Sequence, residues 1–171
     1  YEEAASAPDA EPVGVATGQV VENINFTLAK KPARTRVFVD PARTGLQAGS
    51  AGRVAIAVED VENLGSFETE LRWDPTVTKV EEVLLSGFLG STGREVIPVA
   101  PEIDNDQGIL RYAAASIGRM PGPSGSGKIF EVRFVALERG ETDLKISDSI
   151  LTTPDAGVID HALGNGHIVV G

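Results

Sequence analysis

Residues 66–75 read Ser-Phe-Glu-Thr-Glu-Leu-Arg-Trp-Asp-Pro, and this stretch decides the fold class. Phe67, Thr69, Leu71 and Trp73 take every second position, with Ser66, Glu68, Glu70 and Arg72 between them. A period of two is that of a β-strand, whose successive side chains point to opposite faces. The segment is therefore a strand with one apolar and one polar face, and Asp74-Pro75 stops it because proline cannot extend a ladder. Trp73 shares the alternation class of Phe67 and Leu71, which assigns it to the core rather than to an exposed sugar platform.

The same period recurs on both sides. Val37 and Val39 precede Asp40-Pro41, and Val54, Ile56 and Val58 follow Ala48-Gly49. Val77 to Leu84 reads as a further strand; an apolar Gly/Ser loop leads on to Glu95 to Ile103, and Ile109 to Ser116 is a strand after the turn Asp104-Asn105-Asp106-Gln107-Gly108. Phe130, Val132 and Phe134 alternate after a Gly/Pro/Ser loop at 118–127; Leu144 and Ile146 alternate next, and Ile168 to Val170 closes the chain. No segment carries the i, i+3, i+4, i+7 stripe of an amphipathic helix. Strands at roughly 8–12-residue spacing, separated by turn residues, predict an all-β protein: a sandwich or jelly roll of two antiparallel sheets with little helix.

Residues 1–34 differ from the rest. Glu2 to Pro12 is rich in Ala, Pro and acid and reads as a linker, whereas Val20, Ile24, Phe26 and Leu28 form a strand-like segment that needs a sheet edge to dock on. That edge belongs to the main domain, to a second copy of the chain, or to an upstream domain. The expected division is a linker and terminal strand at 1–34 and a β-sandwich at 35–171. The chain opens at Tyr1 with no initiator Met, so a piece of a longer protein is expected.

Composition removes whole classes of function. No cysteine is present among the 171 residues, which excludes disulfides, Cys-based zinc sites and thiol nucleophiles. The formal net charge of −10 repels phosphate backbones, so nucleic acid is not an expected partner. No apolar run reaches the roughly 20 residues of a membrane span. The only histidines, His161 and His167, have neither a GxSxG elbow nor an HExxH helix to work with. Glu68 and Glu70 share one strand face about 7 Å apart, but an aromatic content of 5% supplies no sugar-lined cleft for a carboxylate pair. No catalytic residue is expected.

Two turn motifs have sharper alternatives. Gly122 to Lys128 has the spacing of a phosphate-binding loop, yet Ile129 stands where a metal-holding hydroxyl is required and the following residues alternate like a strand, so a hairpin loop is expected. Asp104, Asp106 and Gly108 could seat calcium on a tight turn, but no EF-hand continuation follows, and a solvated turn is the main expectation.

The ordered series Val37 to Asp40, Ala48-Gly49, Val54 to Val58, Leu64-Gly65-Ser66-Phe67, Leu71-Arg72-Trp73-Asp74-Pro75 and Val77 resembles the N-terminal half of a bacterial cohesin module. Asp106-Gln107-Gly108-Ile109-Leu110, Gly125-Ser126-Gly127, Phe130 to Phe134 and Gly166 to Val170 continue it through Gly171. The resemblance implies a nine-stranded jelly roll, non-catalytic, in a secreted or cell-surface scaffold, that binds a dockerin: a small helical module whose calcium belongs to the partner. It also implies a docking face. On the strand before Asp74-Pro75 the outward positions are Ser66, Glu68, Glu70 and Arg72; on the strand after Gly108 they are Arg111, Ala113 and Ala115, with small alanines where a larger contact is usual. Related carbohydrate-binding modules share the pattern, so a polysaccharide ligand is the alternative, and a structural spacer a third. Val13 to Leu28 resembles the last strands of a carboxypeptidase-regulatory-like domain.

Overall fold

The computed structural model describes residues 35–171. The linker, the strand expected at Val20–Leu28 and the segment resembling a carboxypeptidase-regulatory-like tail lie outside the described residues.

Twelve strands and one 3-10 turn follow in order: β1 (Arg36–Asp40), β2 (Arg43–Leu46), β3 (Ala51–Val61), β4 (Ser66–Arg72), β5 (Thr78–Leu85), the turn Phe88–Gly90, β6 (Glu95–Pro98), β7 (Glu102–Asp104), β8 (Ile109–Ile117), β9 (Gly125–Ala136), β10 (Gly140–Thr152), β11 (Ala162–Gly164) and β12 (Gly166–Val170). They form two sheets, β11-β1-β3-β9-β5 and β2-β12-β10-β4-β8-β6, with β7 also paired to β8. The sandwich is as expected; its strand count is twelve rather than nine. The extra strands are short edge pieces. Glu95 to Ile103 is divided between β6 and β7 by Pro98 and Pro101, because proline has no N–H for the ladder. β9 starts inside the expected loop, at Gly125, and β10 runs on past Ile146 through a bulge between Ile146 and Asp148.

The pairing is antiparallel except at two places. β1 runs parallel to β11, and β2 parallel to β12. The first and last segments of the domain therefore travel side by side and cross together from one sheet to the other.

Between the sheets the alternating apolar residues meet. Phe67 and Tyr112 of one sheet pack on Phe130 of the other, with ring centroids 5.6 and 5.2 Å away, and Trp73 meets Phe134 edge-on at 5.6 Å. Trp73 is buried, and its indole N–H donates to the carbonyl of Thr78 at 2.9 Å, so its polar atom is satisfied without solvent. After it, Asp74 accepts bonds from the N–H and hydroxyl of Thr76, at 2.9 and 2.7 Å, and turns the chain toward β5.

Candidate docking face

Register places all the expected docking residues on one surface. Cross-strand neighbours on β4 and β8 are Ser66 with Ala115, Glu68 with Ala113, and Glu70 with Arg111. On the other side of β4, Thr152, Ile150, Asp148 and Lys145 of β10 stand opposite Ser66, Glu68, Glu70 and Arg72. Ile97 of β6 lies opposite Ala115, and Glu102 of β7 opposite Arg111. The N–H of Val99 donates to the Ala113 carbonyl at 2.9 Å, and Val99 lines a shallow hollow with Glu68, Glu102, Arg111 and Ala113.

These side chains have different freedom. Glu70 accepts from Arg72 Nε, Arg111 Nε and Ser147 Oγ, each at 2.7 Å, and its side chain is mostly covered. The Ser147 hydroxyl first, then Arg72 and Arg111, hold its carboxyl below the ordinary carboxylate value. Glu70 therefore positions two guanidinium groups, and Arg111 also lies 3.9 Å from Glu102. The Ser66 hydroxyl is shared with Thr152 at 2.7 Å. Glu68 is exposed and has no ion-pair partner among the described residues.

Four side chains on this face escaped the sequence analysis. Ile97, Val99, Ile117 and Ile150 are 49, 60, 50 and 44% exposed, respectively. They flank the Ala113–Ala115 floor and the Glu68 row. Small alanines with taller branched neighbours make a shallow apolar trough with a free carboxylate beside it, the kind of surface onto which another protein packs.

The outward side of the other sheet is different. Arg53 pairs with Glu82 at 2.7 Å, Arg133 with Glu81 at 2.8 Å, Lys128 with Glu131 at 2.8 Å, and Arg36 with Glu59 at 3.9 Å. Its charges are largely neutralised in place.

The other motifs of the sequence make local contacts. Gly122 to Lys128 opens no helix: β9 begins there, Lys128 pairs with Glu131, and Ser124 and Ser126 accept the N–H groups of Asn63 and Asp60 at 2.9 and 3.2 Å. The segment is not the hairpin loop expected: β8 and β9 belong to different sheets, so it is a crossover from one sheet to the other. Asp104 Oδ1 accepts from the N–H groups of Asp106 and Gln107, at 3.0 and 2.9 Å, as an Asx turn does. His161 Nδ1 donates to the Ile159 carbonyl at 2.8 Å, while His167 lies between Asp143 and Glu141, at 2.9 and 3.2 Å. Neither histidine has a serine partner among the described residues.

A family model described as "Cohesin domain" matches residues 35–170. A search of curated proteins finds no significant match. Among solved structures, a non-cellulosomal cohesin from the archaeon Archaeoglobus fulgidus is similar at TM-score 0.64 and 21% identity, over 81% of this chain and 92% of that one. The Coh-OlpA–Doc918 type I cohesin–dockerin complex from Clostridium thermocellum aligns at TM-score 0.67 and 11% identity, over 81% of this chain and 100% of that one. A type II cohesin from the cellulosome of Acetivibrio cellulolyticus gives TM-score 0.64 and 12% identity, covering 80% and 95%. At such identities these likenesses speak to fold.

Proposed function

The chain belongs to the cohesin domain family through residues 35–170, and from that premise we propose that its β10-β4-β8-β6 face captures a calcium-loaded dockerin. As a cohesin domain the module is non-catalytic and binds protein. The observation that carries the proposal is the row Val99–Ala113–Glu68–Ile150: exposed apolar residues at both ends, a small residue and an unpaired carboxylate between. Such a row buries apolar area while its charge fixes the register of the partner. The opposite face, already ion-paired, offers a partner less. Ser66, Glu68, Arg72, Arg111, Ala113 and Ala115 are the proposed contacts, with Glu70 holding the arginines.

The calcium in this reading is the partner's. Membership in this family is in keeping with a secreted or surface-attached scaffold, and no helix among the described residues is long and apolar enough to cross a membrane. A polysaccharide ligand finds no support in the one tryptophan, which lies in the core.

Immobilised chain should retain at least one member of a panel of calcium-loaded dockerins, release it on chelation, and lose most of it in Glu68→Ala/Arg111→Ala. Retention by that double variant equal to the parent's would overturn the assignment of the face. Failure of every dockerin to bind the parent would overturn the choice of partner.

A further inference from the structure

Beyond Ile150 the proposed docking face runs into a groove. One wall is the bulged part of β10, Ser147 to Ile150; the other is the segment Val158 to Leu163. Backbone bonds fix the second wall. Ile159 N–H donates to the Leu151 carbonyl at 2.9 Å, Val158 bridges to Thr152, and Ala162 N–H donates to the Thr35 carbonyl at 2.8 Å. The connection between the walls is a closed turn, with Thr153 N–H bound to the Gly157 carbonyl at 2.8 Å and Gly157 N–H to the Thr153 hydroxyl at 3.0 Å. The groove is therefore preformed.

Its lining combines two chemistries. Val158, Leu163 and Ile150 are 75, 45 and 44% exposed. Asp148 and Asp160 stand among them, and neither has an ion-pair partner among the described residues. The one other titratable side chain there, His161, turns Nδ1 to the Ile159 carbonyl.

We propose that this groove is a second recognition pocket, taking an arginine side chain from the rim of the helical partner that covers the main face. The proposal rests on the docking function above. An apolar occupant would cover two carboxylates and leave them unpaired, and an acidic one would be repelled by them and by a domain carrying a net charge of −8 over residues 35–171. Arginine satisfies both chemistries at once. Its methylene stem covers Ile150, Val158 and Leu163 while its guanidinium reaches the carboxylates, with a forked donor geometry that lysine lacks. Continuity supports the same occupant, because Ile150 belongs to the docking row and to the groove.

Two measurements on the full chain separate this pocket from the main face. Titrating ¹⁵N-labelled chain with acetyl-Leu-Arg-Leu-amide at millimolar concentration should move the amide signals of 148–150 and 158–163; the citrulline counterpart, and the arginine peptide on Asp148→Asn/Asp160→Asn, should not. Equal shifts from the citrulline peptide, or none in these segments, would overturn the pocket. With a dockerin captured by the parent chain, the same double variant should bind about five- to tenfold more weakly and with a flatter salt dependence. Unchanged affinity and salt dependence would overturn the pocket and leave the main face standing. Binding of the arginine peptide by a chain that captures no dockerin would support the pocket and overturn the dockerin reading instead.

Discussion

Arg111 and Glu70 face each other across the β4–β8 ladder, Nε 2.7 Å from Oε2. With Arg72 and Ser147 also donating to the same carboxylate, Glu70 becomes the fixed centre of the proposed docking face and Glu68, one alternation along, its open acid. Two glutamates that the sequence makes equivalent are thus divided into one held by three donors and one left exposed.

The Glu70 cluster makes stability depend on pH with a definite sign. The Ser147 hydroxyl, then Arg72 and Arg111, hold this carboxyl below its ordinary 4.5. A pKa lowered in the folded state adds stability above the unfolded value, and that stability is lost as pH falls through the folded one. Glu70→Gln should therefore be about 1 kcal/mol less stable than the parent at neutral pH. In urea titrations the gap should close as pH drops below the carboxylate range. A gap independent of pH would contradict the charged role.

Arg94 is buried with no carboxylate partner among the described residues. Its guanidinium donates to the hydroxyl and carbonyl of Ser116, at 2.9 and 2.7 Å, and to the carbonyls of Gly118 and Met120. It therefore clamps the loop after β8 beside the exposed Ile117. Arg94→Ala strips these acceptors of partners and should cost about 3 kcal/mol. Limited trypsinolysis should then cut after Arg119 well before it does in the parent; equal cleavage rates would show that the loop is held by other means.

Gly108 closes the β7–β8 hairpin at φ +65°, and a Cβ there would collide with the backbone carbonyl of Trp73. The same two residues are joined by the Trp73 N–H to Gly108 carbonyl bond at 3.0 Å. Gly108→Ala should lose about 2–3 kcal/mol from backbone strain and displaced contact. Trp73 is the one tryptophan in the chain, so its fluorescence reports the shift directly. An unchanged denaturation midpoint would contradict the close approach.

Alternation made β4 and β8 legible. Phe67, Leu71 and Trp73 commit one face to the core, and every outward residue between them follows from a period of two. Ile97 and Val99 escaped because Pro98 and Pro101 cut their segment into two short strands with different partners. Ile150 escaped because simple alternation puts it on the core face with Leu144 and Ile146, whereas the bulge after Ile146 shifts the register and turns it outward. The apolar walls of the trough were thus hidden where the strands are irregular, while its small floor, Ala113 and Ala115, was visible. The outward residues read from the sequence are polar apart from Ala113 and Ala115; the structure adds tall apolar residues at their flanks. β2 and β11 have three or four residues each and are held by parallel partners from the far end of the domain, which no local pattern announces.

Amide hydrogen exchange of the full chain, with and without a bound dockerin, reads out which face of the sandwich receives the partner. Protection should appear across β4, β8, the Ile97–Val99 segment and the second half of β10, with β3 and β9 exchanging as in the free chain. Protection concentrated on β3, β9 and β5, with β4 and β8 unchanged, would contradict it.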